Sequence, residues 1–334
     1  MKNLYSYNTL LLYGSEAVNI VFIIIGFLVF AALIWAIASY LAFRTAIVRR
    51  PDLPFEVLEK KPNTAWSKFS SEIREGISWI ESMPKTTLTV RSFDGLNLQA
   101  TLIEQENAKA TLLMFHGYRS SGINDFSCAT EFYYSLGFNL LIVDQRAHGK
   151  SEGKYIGFGA TERFDCQTWA RLIYKRYGKE LPILITGISM GGATVLMASA
   201  LELPENVAAI ISDSAFTSPA DILSHVIRKS YHINPSIILP FMNMWSKALA
   251  KYSFYDVSAE DTVRQAKVPI LFIHGLDDDF VPSEMSKRSL EACASKKDFV
   301  FVEKAGHGES YLVDNERCEA TLKSFISNIL EEKN

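Results

Sequence analysis

Residues 181–201, LPILITGISMGGATVLMASAL, constrain the fold more than any other stretch. Residues 181–186 are a short apolar run rich in β-branched side chains, which reads as a buried strand. Pro182 stands at its start, where no ladder hydrogen bond is lost. Residues 187–191 are Gly-Ile-Ser-Met-Gly, and residues 192–198 continue in small and aliphatic side chains as a helix. A serine between strand and helix occupies a strained turn that lifts its hydroxyl out of the sheet. The turn crowds the neighbouring backbone, so the positions two residues to either side must be nearly bare, hence Gly187 and Gly191. The helix start leaves free N–H groups and a positive dipole end, which suit a developing negative charge. The alternative is a glycine-rich turn with an inert surface serine; partners further along the chain decide between the two.

The rest of the chain supplies the sheet that such a strand needs. Residues 88–93 and 96–102 flank Asp94-Gly95 and predict an antiparallel hairpin. Beyond it, strands are expected at 110–115, 138–143, 207–212, 268–273 and 299–302. Helices are expected near 125–135, at 161–177, from 283, and at 315–330. Such alternation marks a mostly parallel sheet covered on both faces. Residues 216–267 interrupt the rhythm and are expected to form a small helical lid.

The N-terminus is different material. Residues 17–43 carry no charge between Glu16 and Arg44. As a helix they span roughly 40 Å, against about 30 Å of hydrocarbon, so they cross a bilayer with some tilt. A cleaved signal peptide would need a basic start, a shorter apolar core and a small-residue cleavage site. Here residues 1–16 form a long, nearly neutral lead. A buried core helix would show a polar face. The expectation is one uncleaved transmembrane helix at 17–43. Lys2 precedes it, while Arg44, Arg49 and Arg50 follow, so the positive-inside rule places the body on the cytoplasmic side.

Residues 50–62 hold Pro51, Pro54 and Pro62 and read as a linker. Trp66, Phe69, Ile73, Ile77 and Ile80 then recur at three- and four-residue steps. They form one face of a helix that packs on the main domain or lies on the membrane surface. Segment 44–84 is therefore linker and amphipathic helix, and 85–334 the main domain. A net charge of -3 gives no footing for a nucleic-acid partner. Cys128, Cys166, Cys293 and Cys318 lack C-x-x-C spacing, which argues for free thiols and against a zinc or dithiol site.

Serine alone is a weak nucleophile; it needs a base within hydrogen-bond reach and a carboxylate to orient that base. In a parallel sheet these sit on loops at the carboxyl ends of strands. Strand 270–273 leads into His274-Gly275-Leu276-Asp277-Asp278-Asp279-Phe280-Val281-Pro282, and strand 299–302 into a loop ending at His307-Gly308. His116, His148 and His274 sit in loop motifs that shape turns, and His225 and His232 fall in the lid. His307 follows the last strand.

Over residues 85–330 the chain resembles the α/β-hydrolase superfamily. The resemblance rests on G-I-S-M-G at 187–191 and on Phe115-His116-Gly117-Tyr118 after a strand. It rests also on DQRAHGKSEG at 144–153, where Ala147 replaces a usual glycine, and on His274, Gly275, Asp278, Val281 and Pro282 in an HG-x-x-D-x-x-VP pattern. The N-terminal span and short lid look most like bacterial membrane-anchored, peptidase-like hydrolases of the prolyl-oligopeptidase-related branch. The resemblance implies an eight-stranded, mostly parallel sheet with helices on both faces and a helical lid. It makes Ser189 the nucleophile, His307 the base and Asp278 the orienting acid. The spacing to Val281-Pro282 selects Asp278; Asp277 is the runner-up and Asp213 a further candidate. Backbone N–H groups of Met190 and Tyr118 form the expected oxyanion hole. The implied chemistry is cleavage of an ester or related acyl bond through an acyl-enzyme, with no metal or organic cofactor. A peptidase or acyltransferase on the same triad is one alternative; a membrane-tethered binding protein on an inactive hydrolase fold is another. A lipid-like or small-molecule acyl substrate is expected, with Met242, Met244 and Trp245 of the lid lining its pocket or sealing the lid to the body.

Overall fold

A computed structural model describes residues 2–331, with side chains from Asn19 onward. Among the described residues, eight strands form one sheet: β1 (Thr86–Arg91), β2 (Asn97–Ile103), β3 (Ala110–Phe115), β4 (Phe138–Asp144), β5 (Ile183–Ile188), β6 (Val207–Asp213), β7 (Ile270–Gly275) and β8 (Lys297–Val302). Their order across the sheet is β1-β2-β4-β3-β5-β6-β7-β8. β2 runs antiparallel to β1 and β4, and the remaining pairs are parallel. Helices cover both faces of the parallel strands, which is why these read as near-continuous apolar runs. The edge strand β8 begins two residues earlier than expected. Its exposed Lys297 and Asp298 carry no hydrophobic signal.

The helices, in chain order, are α1 (Lys2–Ile47), α2 (Phe55–Leu58), α3 (Ala65–Lys68), α4 (Ser70–Ser82), α5 (Gly122–Ser135), α6 (Glu162–Tyr177) and α7 (Met190–Ala198). There follow α8 (Pro219–Tyr231), α9 (Pro235–Trp245), α10 (Ala259–Val263), α11 (Ser283–Ala292), α12 (Ser310–Val313) and α13 (Asn315–Glu331). The core divides by sheet face. Trp169 and Ile173 of α6 and Val195 and Leu196 of α7 pack on one side. Phe126 and Tyr133 of α5 and Leu322 and Ile326 of α13 pack on the other. β3 and β5 are neighbours, yet α5 leaves β3 toward one face and α7 leaves β5 toward the other. Their loops therefore diverge, and a crevice opens at the carboxyl ends of the strands.

The loop after β4 is tied down by a buried cation. Arg146 donates to both oxygens of Asp165 at 2.6 and 2.7 Å and to both of Asp94 at 2.9 and 3.1 Å, joining α6 to the β1–β2 turn. Ala147 adopts φ 61°, the left-handed conformation for which glycine is the usual choice.

α1 continues to both sides of the expected 17–43 span, since the first proline is Pro51. Its stretch Asn19–Ile47 is long and apolar enough to cross a membrane, and its most apolar 18 residues have a mean hydropathy of 3.1. Its last turns belong to the protein core instead. Phe43 and Ile47 are fully buried. Just beyond, Arg49 donates to the carbonyls of Ser151 and Gly149, both at 2.6 Å. Residues 50–62, expected as linker, hold α2, whose Phe55 and Leu58 bury against Ile73 of α4. Ile73 and Ile80 are buried, so the amphipathic face of α4 packs on the body.

Candidate active site

The turn between β5 and α7 places Ser189 at φ 56° and ψ −115°, a conformation costly for any residue with a side chain. The surroundings enforce it. A Cβ on Gly191 would overlap the carbonyl of Phe115, and one on Gly187 the carbonyl of Gly191. The Ser189 amide donates to the Asp213 carbonyl at 2.8 Å. Strand β5 thus delivers the hydroxyl at the crevice, with the N-terminus of α7 behind it.

Two neighbouring strands deliver the rest. His307, after β8, sets Nε2 2.9 Å from Ser189 Oγ and Nδ1 2.7 Å from Asp278 Oδ2. Asp278, after β7, has Oδ1 fixed by the amides of Phe280 and Val281 at 2.9 and 2.8 Å. Asp277 is exposed at the margin of the cleft, and Asp213 accepts from Ser214 Oγ at 2.9 Å. The geometry therefore brings together Ser189, His307 and Asp278 and leaves the other two carboxylates out of the chain of hydrogen bonds.

Charge in this chain is strongly biased. Burial opposes ionisation of Asp278, but hydrogen bonds from His274 and His307 outweigh it and hold the carboxyl well below the usual range. Burial likewise opposes an imidazolium at His307. Asp278 outweighs it, with Asp213 and Asp125 adding to the effect, and the pKa is raised. The group is thus a stronger base than free imidazole, oriented by an anion that stays ionised.

Gly117 and Tyr118 lie beside the serine: a Cβ on Gly117 would stand 3.3 Å from Ser189 Cβ. Asp125 holds this loop, accepting from the Gly117 amide at 2.7 Å and from Ser120 Oγ at 2.5 Å. His148 Nε2 accepts from the Arg119 amide at 3.0 Å. Among the described residues, the chain offers no acceptor to the amides of Tyr118 or Met190. The Tyr118 hydroxyl donates to the Ala46 carbonyl of α1 at 2.7 Å, and burial pushes its pKa up to about 12.

A cavity of about 700 Å³ opens at Ser189 and His307. Phe126, Ala129, Tyr133, Ile211, Ile273 and Leu322 give it an apolar wall. The α2–α3 segment supplies a polar margin through Lys61, Asn63 and Lys68, with Trp66 beside them. Lys68 pairs at 2.8 Å with Glu309, which also accepts from the Gly306 amide next to His307.

The pocket expectation for Met242, Met244 and Trp245 is corrected here. These residues are absent from the cavity wall and sit on α9, the helix that packs against α1. Trp245 lies 5.3 Å from Tyr40 and donates to Ser39 Oγ at 3.2 Å. Met242 is buried and Met244 exposed. Trp245 thus answers the N-terminal helix, and Met242 seals α9 to the body. Sequence reasoning gave His274 a turn-shaping role but no contact with the acid; its Nε2 lies 3.1 Å from Asp278 Oδ2 and 2.9 Å from the Val281 carbonyl. The four-residue offset from Asp278 was its signal. Asp125 gave no signal, since only folding carries it to Gly117. Among the described residues, no group of three His, Cys, Asp or Glu side chains is arranged to hold a metal.

Comparison with known proteins agrees with this architecture. A family model described as serine aminopeptidase, S33, matches residues 106–256. YqkD of Bacillus subtilis is 26% identical over 75% of this chain and 81% of its own length. The protein bem46 of Schizosaccharomyces pombe is 27% identical over 70% of this chain and 74% of its own. The solved esterase Pf2001 of Pyrococcus furiosus superposes with a TM-score of 0.64 at 19% identity, covering 85% of this chain and 98% of that one.

Proposed function

The chain is a member of the α/β-hydrolase superfamily, and we propose that within it this protein is a serine hydrolase that cleaves acyl esters through an acyl-enzyme. The observation that carries the reading is the unbroken line from Ser189 Oγ through His307 to Asp278, opening on an apolar cavity. His307 Nε2 accepts the Ser189 proton as Oγ attacks the ester carbonyl, while Nδ1–H donates to Asp278. The amides of Met190 and Tyr118 hold the oxyanion; each such donor contributes on the order of 3 kcal/mol to the transition state. His307 returns the proton to the departing alcohol. Water, activated by the same nitrogen, then releases the acid and restores Ser189. The esterase activity of the structural neighbour Pf2001 supports the ester reading. The S33 description of the matching family keeps an amide-cleaving reading beside it, on the same triad.

We also propose that α1 anchors the enzyme in a membrane, with Arg44, Arg49 and Arg50 keeping the catalytic body cytoplasmic. Trypsin added outside intact spheroplasts should then leave the body uncut; cleavage there would place it on the other side. Turnover of p-nitrophenyl esters and labelling by a fluorophosphonate, wild type beside Ser189→Ala, test the chemistry. Both should vanish in the variant. Full ester turnover by folded Ser189→Ala would refute the assignment.

A further inference from the structure

The lid helix α9 has a second side that the active site does not use. Ile237, Phe241 and Met244 are exposed by 50, 41 and 50% and recur at steps of four and three residues, so they share one face. Leu239 and Met242 on the opposite side are buried in the body. Residues 230–246 contain no Asp, Glu, Lys or Arg. Exposed basic side chains bracket the stretch, with Arg228 before it and Lys247 after it.

This face does not stand alone. Phe241 packs edge-on against Trp35 of α1 at 6.0 Å, and Trp245 against Tyr40 at 5.3 Å. Four residues along α9 match five along α1, so the two helices run side by side in the same direction. Residues 17–36 of α1 already supply the roughly 20 residues that cross hydrocarbon. Trp35 then stands at the hydrocarbon edge and Tyr40 at the headgroup level, the zone where aromatic side chains collect. α9 touches both of them. Ile237 lies one turn, about 6 Å, before Phe241, toward the bilayer interior.

Resting on the reading of α1 as a membrane span, we propose that α9 is a second membrane contact. Its Ile237, Phe241 and Met244 face lies in the interfacial layer of the leaflet from which α1 emerges, and Lys247, past the outer end of α9, meets anionic headgroups. α9 runs along α1 and so enters the interface end-on, where an apolar face meets lipid, a basic residue at its outer end meets headgroups, and packing on the span fixes the depth. Here the packing against Trp35 and Tyr40 sets the depth. The arrangement holds the catalytic body close against the bilayer.

The test uses the full chain in vesicles of phosphatidylcholine and phosphatidylglycerol in equal parts. Single nitroxides are placed at Ile237→Cys, Phe241→Cys, Phe27→Cys and Tyr255→Cys, with unsubstituted protein as the blank for the native thiols. Power saturation compares collision with oxygen, which concentrates in lipid, and with a water-soluble nickel chelate. The oxygen-to-nickel ratio at 237 and 241 should approach that at 27 and exceed that at 255 several-fold. A ratio at 237 and 241 equal to that at 255, with 27 still in lipid, overturns the α9 contact and leaves the span standing. An aqueous ratio at 27 overturns both. Dipolar broadening at 237 in singly labelled protein would put a second copy of the chain on this face and overturn the bilayer as its occupant.

Discussion

Replacing Phe43 by alanine should unfold the catalytic body at a lower temperature, although Phe43 lies on the helix that reads as a membrane anchor. Its side chain is fully buried, with Tyr40 and Tyr155 rings at 6.4 and 6.0 Å. It belongs to the same core cluster as Trp169 of α6 and Met190 of α7. Truncating a buried phenylalanine costs about 3–5 kcal/mol, the transfer of the ring plus the cavity it leaves. For a body of this size each kcal/mol shifts the melting temperature by about 2–4 °C, so the expected fall is roughly 6–20 °C. The assay is tryptophan-fluorescence melting of the full chain in detergent at one fixed scan rate. Phe27→Ala is the control: Phe27 is on the same helix but 68% exposed, and its variant should melt with the wild type. Equal melting of Phe43→Ala and wild type would refute the argument that α1 completes the core. The same reasoning predicts that a fragment beginning at Lys60 will be poorly folded. It lacks Phe43, Ile47, the Arg49 contacts and the Ala46 carbonyl that Tyr118 holds.

The site sets further outcomes. His307 accepts a proton only when neutral, and its pKa is raised above the ordinary value of 6.5. Thus kcat/KM for an ester should rise with pH through a midpoint above 6.5. Asp278→Asn removes the main group holding that proton, so the midpoint should fall and kcat drop on the order of 10⁴-fold. Asp277→Asn should leave both unchanged, and a large loss there instead would reverse the assignment of the acid. In the cavity, each buried methylene contributes about 0.8 kcal/mol, or about fourfold in kcat/KM, until the chain reaches the end wall. Ala129→Phe narrows that cavity and should move the optimum of a p-nitrophenyl ester series to shorter acyl groups. An unmoved optimum would place the acyl chain elsewhere.

Local chemistry made much of this protein legible in its sequence. Gly187 and Gly191 around Ser189 announce the strained turn because backbone crowding there is a property of the turn itself. Periodicity located the sheet for the same reason: strands buried on both faces must be apolar throughout. The resemblance to the hydrolase pattern, through the offset from Val281-Pro282, picked Asp278 from three adjacent aspartates. In the structure that carboxylate is the one fixed by the Val281 amide and within reach of His307.

What sequence did not carry was the identity of each apolar surface's partner. Ile237, Phe241 and Trp245 announce burial without saying against what, and the same composition suits an acyl pocket, a lid seal or a bilayer. Only the tertiary structure turned α9 toward Trp35 and Tyr40 and gave the cavity wall to α2–α3, α5 and α13. The apolar run at 17–43 reads as one unit, yet its end serves the core and its middle is exposed. Hydrophobic free energy depends on area removed from water and is non-directional, so the sequence determined which side chains leave water. Which of them meet one another depends on contacts between residues far apart in the chain, such as Ser39 with Trp245 and Gly117 with Asp125, and only the folded structure decided those.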